Sequence, residues 1–246
     1  MTTPKNWNSE LIPVAATTII AGHYGVGKTN FALNLAHQIR TQQDVTDVTL
    51  IDLDIVNPYF RSSDYAPDLV SEGISVIAPV FARSMLDTPS LPGSIPVAMT
   101  NATADAPLII DVGGDDEGAK VLARFAENVT RPYEFLYVVN ARRNLTQTPA
   151  EAVQILREIE EKSSLKATAL VNNTHLGAET TCPLAAELLA ESQQYIQEIE
   201  RLSGLRCVCT TVPTGFTEYA KTHEIPDEAV SSQLCEVARY VHLPWE

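Results

Sequence analysis

The chain has 246 residues, 45% of them hydrophobic, enough to bury one sizeable core and expected to form a single α/β domain over residues 1–246. Its net charge of −14 argues against electrostatic attachment to nucleic acid or to a membrane of anionic lipid, and a neutral or basic protein is the better-matched partner. No apolar stretch approaches the roughly 20 residues of a membrane span, and Met1 to Leu11 lacks the basic flank and apolar core of a secretion signal, so a cytoplasmic location is expected.

Thr17 to Ala21 reads as a strand. It is followed by Gly22-His23-Tyr24-Gly25-Val26-Gly27-Lys28-Thr29 and by a helical pattern over Asn30 to Thr41. The spacing G-x-x-x-x-G-K-T between a strand and a helix is that of a loop built for nucleoside triphosphates. Glycines let successive backbone N–H groups turn inward around an anion, and the helix behind them aims the positive end of its dipole at the same place. Lys28 then reaches the β- and γ-phosphates and the Thr29 hydroxyl ligates Mg²⁺. The expected nucleotide contacts in this stretch are Gly22, His23, Gly25, Val26, Gly27, Lys28, Thr29 and Asn30.

A second strand, Val48 to Leu53, runs into Asp52-Leu53-Asp54. The following Asn57-Pro58-Tyr59-Phe60-Arg61 is expected near the γ-phosphate, where a loop can report the nucleotide state. After a strand at Ile74 to Ala78 comes an irregular stretch, Pro79 to Pro107. Pro79, Pro89, Pro92 and Pro96 punctuate it, and it contains Arg83, Met85 and Leu86. Such an insertion suits a partner or substrate surface, with a short helix around Ile95 to Thr103.

The strand Leu108 to Val112 carries Asp111-Val112-Gly113-Gly114, and Asp115-Asp116-Glu117 leads into a helix over Gly118 to Glu127. In a doubly wound sheet the carboxyl ends of the strands line the ligand crevice, so both acidic clusters can converge on the glycine loop. Asp111 has the Walker B position and joins Thr29 on the metal. Asp54 is the candidate for orienting the attacking water, with Asp52 as outer-sphere support, and these two can exchange roles.

Strands at Phe135 to Val139, Thr168 to Asn172 and Arg206 to Val212 alternate with helices at Pro149 to Lys162, Pro183 to Leu202 and Asp227 to Val241. Leu184, Leu188, Tyr195, Ile199 and Leu202 form a packing stripe on the long helix. The alternation predicts a doubly wound, mainly parallel sheet with helices on both faces, a three-layer α/β/α fold. Of the four cysteines, Cys207 and Cys209 are expected on one face of their strand. They are buried thiols or part of a metal site shared across a dimer, although one C-x-C supplies too few ligands by itself.

Taken in order over nearly the whole chain, these motifs resemble the MinD/ParA/CobQ-CobB group of P-loop proteins, relatives of the nitrogenase iron protein and the arsenite-pump ATPase. The resemblance rests on Gly22 to Thr29, Asp52-Leu53-Asp54, Asp111-Val112-Gly113-Gly114, the strand ending at Asn140, Val171-Asn172 and Val212-Pro213. It implies that Asn172 hydrogen-bonds an adenine base, with the backbone near Pro213 alongside and Glu218 nearby. A turn residue ending a strand is the plainer reading of Asn172. Asn172-Asn173-Thr174-His175 stands where an Asn-Lys-x-Asp guanine signature would, which favours ATP.

The group's signature lysine is replaced by His23. Either His23 acts weakly in its place, or Arg61, Arg142 or Arg143 substitutes, or His23 only packs the loop; a homodimer is expected. Membrane-binding members resemble one another in a basic amphipathic tail. This chain ends with Leu234, Val237 and Val241 as an apolar stripe with few positive charges, so docking on its own core is expected. The resemblance implies an ATPase switch that loads or binds a partner protein. The alternatives are a small-molecule kinase or ATP-dependent ligase resembling dethiobiotin or cobyrinic acid amide synthetase, with Arg83 on the substrate, and an ATP-binding scaffold.

Overall fold

Runs such as Thr17 to Ala21 and Leu108 to Asp111 are largely apolar and buried on both sides of the pleat, which suits strands covered on both faces. The computed structural model, which describes residues 15–42, 45–55, 61–79, 91–114, 116–223, 225 and 232–242, places both at the centre of one sheet.

The elements in chain order are β1 (Thr17–Ala21), α1 (Lys28–Arg40), β2 (Val48–Asp52), α2 (Ala66–Ser71), β3 (Ile74–Ile77), α3 (Ser94–Asn101), β4 (Leu108–Asp111) and α4 (Asp116–Ala123). They continue as β5 (Glu134–Val139), α5 (Pro149–Ser163), β6 (Ala169–Asn172), α6 (Cys182–Ser203), β7 (Cys207–Pro213), α7 (Phe216–Thr222) and β8 (Gln233–Val237). The eight strands lie in the order β3-β2-β4-β1-β5-β6-β7-β8, and every pairing is parallel.

Alternation divides the sheet residues between two cores. Ile19, Ile51 and Ile110 face a layer supplied by α3, α4, α5 and α6, while Ile20, Leu50 and Ile109 face Phe31, Leu35 and Ile39 of α1 and Leu69 of α2. A third cluster joins α6, α7 and β8 through Leu189, Phe216 and Leu234. The doubly wound α/β fold is therefore as expected. Leu188, Tyr195 and Ile199 of the long-helix stripe are buried as proposed.

Two expectations change. The segment from Asp227 to Val241 is not a helix where it is described: residues 233–237 form β8, paired with β7. The spacing of Leu234, Val237 and Val241 mimics a helical stripe. The unpaired edge of β7 offers backbone hydrogen bonds, and alternation then sends Leu234 to one face and Cys235 to the other. The tail nevertheless docks on its own core, as expected, through Val237 and Val241.

Cys207 and Cys209 do not share a face. Leu170 pairs with Cys207 but Val171 with Cys209, so a bulge at Val208 shifts the register and puts Cys207 in one core and Cys209 in the other. Both are free, buried thiols, and no group of three or more His, Cys, Asp or Glu side chains placed to hold a metal occurs among the described residues.

In the Pro-rich stretch the short helix is found as Ser94–Asn101, packed through Ile95 and Met99. Arg83, Met85 and Leu86, and Asn57 to Phe60, lie outside the described residues. Among the described residues no helix is long and apolar enough to cross a membrane.

Candidate functional site

The glycine loop begins where β1 ends, at the carboxyl edge of the sheet. Beside it, at the same edge, end β4, β5 and β6. A cavity of about 640 Å³ opens there. One end is lined by Gly25, Gly27, Lys28, Thr29, Asp54 and Asp111. The other is lined by Asn172, Leu189, Ser192, Val212, Pro213 and Ala238.

Gly27 caps α1 in the left-handed region, at φ 88° and ψ 22°. A β-carbon there would also lie 2.3 Å from Asn173 Nδ2 and 2.8 Å from His175 Nε2, so the backbone must stay bare. Gly114, after β4, meets the loop from the other side. A β-carbon on it would stand 2.7 Å from Tyr24 Cα and 2.8 Å from Lys28 Nζ. Lys28 is buried, and its ammonium donates to the His23 carbonyl at 3.0 Å.

The carboxylates occupy distinct positions. Asp111 is 3% exposed, and its Oδ1 has no hydrogen-bond partner among the described residues. Burial first, then the charge of Asp52, push its carboxyl up to about 7, against the pull of Lys28 and a hydrogen bond from Thr29. A buried, orphaned carboxylate oxygen beside a threonine hydroxyl suits a hard divalent cation. Asp54 lines the cavity. Asp52 is fully buried and does not: its Oδ1 accepts from Asp54 N–H at 2.9 Å, and its Oδ2 accepts from Ser63 N–H at 3.2 Å and Ser63 Oγ at 2.7 Å. It ties the end of β2 to the turn Ser62–Tyr65, directly across the sheet from Asp111.

Several expected contacts stand elsewhere. Gly22 lies against the Val138 carbonyl of β5, and Val26 is buried in the core with its carbonyl accepting from Asn173 Nδ2 at 2.7 Å. Neither lines the cavity. His23 does not line it either. Burial, and secondarily the Lys28 charge, hold its imidazole below the ordinary value, which disfavours its charged form. Asn30 borders the cavity, but its amide grips the C-terminal segment, accepting from Tyr240 N–H at 2.8 Å and Val241 N–H at 3.2 Å.

Asn172 lines the cavity with its side chain already engaged. Its Nδ2 donates to Ser192 Oγ at 3.0 Å, and its Oδ1 accepts from Thr174 Oγ1 at 2.7 Å. Of the alternative cations, Arg61 is buried away from the cavity and Arg142 pairs with Glu191. Arg143 lines the cavity against Gly25.

The sequence reading missed Asn173, His175 and the 237–241 wall. The polar run after β6 could have flagged the first two. Nothing local marks the third.

No protein-family model matches the chain, and no curated protein matches it. Solved structures do. The signal recognition particle 54 kDa protein of Aeropyrum pernix K1, solved with GDP, aligns with a TM-score of 0.51 at 15% identity, over 87% of this chain and 45% of that one. The fold is that of a P-loop NTPase.

The signal recognition particle receptor FtsY of Elizabethkingia anophelis, also with GDP, gives a TM-score of 0.43 at 16% identity, over 70% of this chain and 51% of that one. FtsY of Mycoplasma mycoides gives 0.45 at 12% identity, over 81% and 61%. The chain thus spans about half the length of the first two, at 45% and 51%, and the likeness is one of fold. Within that P-loop fold, strand, glycine loop and helix stand in the order the motif requires.

Proposed function

We propose that the chain is a single nucleotide-binding domain that takes Mg-ATP at the P-loop, hydrolyses it slowly and acts as a nucleotide-dependent switch for a protein partner. The observation that carries the reading is the convergence of Lys28, Thr29, Asp54 and Asp111 at one end of a 640 Å³ cavity. Thr29 and Asp111 would hold Mg²⁺, with Asp52 behind them, and the ion would supply positive charge to the phosphates. Lys28 would leave the His23 carbonyl for the phosphate oxygens. Asp54 would orient the attacking water.

Gly114 supports the switch. Its backbone rests on Tyr24 and the Lys28 ammonium, so a phosphate drawing Lys28 away changes what the loop after β4 packs against. Adenine is preferred because the run after β6 reads Asn172-Asn173-Thr174-His175 and because Val212, Val237 and Ala238 line the cavity near Pro213. Two of the structural neighbours were solved with GDP, which makes guanine the direct competitor.

Titration with ATP and with GTP, each with Mg²⁺, tests the reading. ATP should bind more tightly, and Lys28→Ala should lose both. Tighter GTP binding would overturn the base assignment alone. Failure to bind either would overturn the nucleotide site. Turnover dependent on a small acceptor would favour a kinase or ligase over the switch. Purification of native complexes with ATP present should identify the partner, and size measurements with ATP and ADP test for a homodimer.

A further inference from the structure

Two donors stand beside the P-loop that its motif does not include. In a chain with 31 Asp and Glu against 17 Lys and Arg, Arg143 makes no ion pair among the described residues. Its side chain lies against Gly25, with Nε 3.6 Å and Cζ 3.7 Å from where a β-carbon would be, and it lines the cavity. His175 lies over Gly27 on the same wall. Its Nδ1 accepts from Gly177 N–H at 2.8 Å, so in the neutral ring the proton is on Nε2, the atom that faces Gly27. No hydrogen-bond partner for that Nε2 occurs among the described residues.

Both donors are tied to one buried residue, Asn140, His175 through its side chain and Arg143 through its backbone carbonyl. Asn140, at the end of β5, accepts from Arg142 N–H at 2.9 Å through Oδ1 and donates to the His175 carbonyl at 3.2 Å through Nδ2. Arg143 is held further by its own N–H to the Asn140 carbonyl at 3.1 Å and by Thr146 Oγ1 to its carbonyl at 3.1 Å. Tyr195 Oη then pins the Thr146 carbonyl at 2.6 Å. This hydrogen-bonded platform therefore presents a cationic fork and a neutral N–H to the cavity beside Gly25 and Gly27.

We propose that Arg143 and His175 donate, from the same chain, to the phosphate groups of a nucleoside polyphosphate held by the P-loop. Arg143 supplies charge and His175 supplies direction. The inference rests on the nucleotide reading above. It gives a single chain two cations on the phosphates, Lys28 and Arg143, without a contribution from position 23.

The test measures Kd for ATP and ADP, with Mg²⁺, for the wild type, Arg143→Ala, Arg143→Lys, His175→Ala and His175→Gln, each checked for folding by thermal unfolding. Arg143→Ala should weaken both nucleotides by about tenfold or more and flatten the dependence of Kd on salt. Arg143→Lys should recover part of the loss. His175→Ala should weaken binding about threefold to tenfold, and His175→Gln, which retains an N–H donor, should lie close to the wild type.

Folded Arg143→Ala and His175→Ala proteins that bind ATP within about twofold of the wild type, with an unchanged salt dependence, would overturn the inference while leaving the nucleotide site standing. A wild type that binds neither ATP nor GTP would overturn that site itself.

Discussion

Asn30 holds Ala238 across 208 residues of sequence: its Nδ2 donates to the Ala238 carbonyl at 3.0 Å. Asn34 closes on the same residue, donating to its carbonyl at 2.8 Å and accepting its N–H at 2.8 Å. The His37 ring stacks on Tyr240 at 4.6 Å between centroids. The helix that begins in the P-loop thus carries residues 238–241, and Ala238, Arg239 and Val241 form one wall of the cavity.

Because the Asn34 amide is buried and meets both backbone groups of Ala238, Asn34→Ala leaves those groups without their partner. We expect a loss of about 1–3 kcal/mol in denaturant unfolding. A change below about 0.5 kcal/mol would show that the segment is held by its apolar contacts instead.

Asp111 sits where burial and the charge of Asp52 disfavour its ionised form. Its folded value, about 7, lies above the ordinary carboxylate value of 3.8, so it binds its proton more tightly when folded. The stability this brings is present below the ordinary value and is lost as pH rises through about 7. Without metal, Asp111→Asn should therefore be the more stable protein at pH 8, by on the order of 4 kcal/mol at most, with the gap closing toward pH 4. The same variant should lose the Mg²⁺ dependence of nucleotide binding. A wild type and variant with parallel pH profiles would refute the burial argument.

His175 shifts in the opposite direction. Burial first, then the Arg143 charge, bring it down to about 4, so it stays neutral on folding. The unfolded chain binds this proton from 6.5 downward, and stability present above 6.5 is lost as pH falls through 6.5 toward about 4. His175→Gln should flatten that acid limb by up to roughly 3 kcal/mol, read as midpoints of urea unfolding between pH 7 and about pH 4. An unchanged limb would place the acid sensitivity elsewhere.

Asp54 lines the cavity, while Asp52 is committed to Ser63 and the Asp54 backbone. Asp54→Ala should slow ATP turnover by on the order of 10²-fold, with ATP affinity kept within about threefold. Turnover that survives Asp54→Ala but not Asp111→Ala would take the water-positioning role away from Asp54.

Much of this protein could be read from local pattern. The strand, loop and helix around Lys28 and the acids ending β2 and β4 depend on side-chain period and on residues close together in the chain, and these were legible. Where a strand received its partner from afar, local pattern misled. Leu234, Val237 and Val241 have a helical spacing, yet the free edge of β7 made them part of β8 or its exit. The two-residue alternation of Cys207 and Cys209 was overridden by a bulge that only the pairing with β6 creates.

The sequence by itself determined the phosphate-loop motif, the α/β alternation and the acids at the strand ends, because each is a relation among near neighbours. Tertiary structure alone decided which polar groups remain available to a ligand. Asn30 and Asn172 are already engaged by distant partners, whereas Asp111 Oδ1 and His175 Nε2 have none among the described residues. The physical reason is that a hydrogen-bonding group's availability depends on what burial brings against it, and those neighbours come from chain segments up to two hundred residues away.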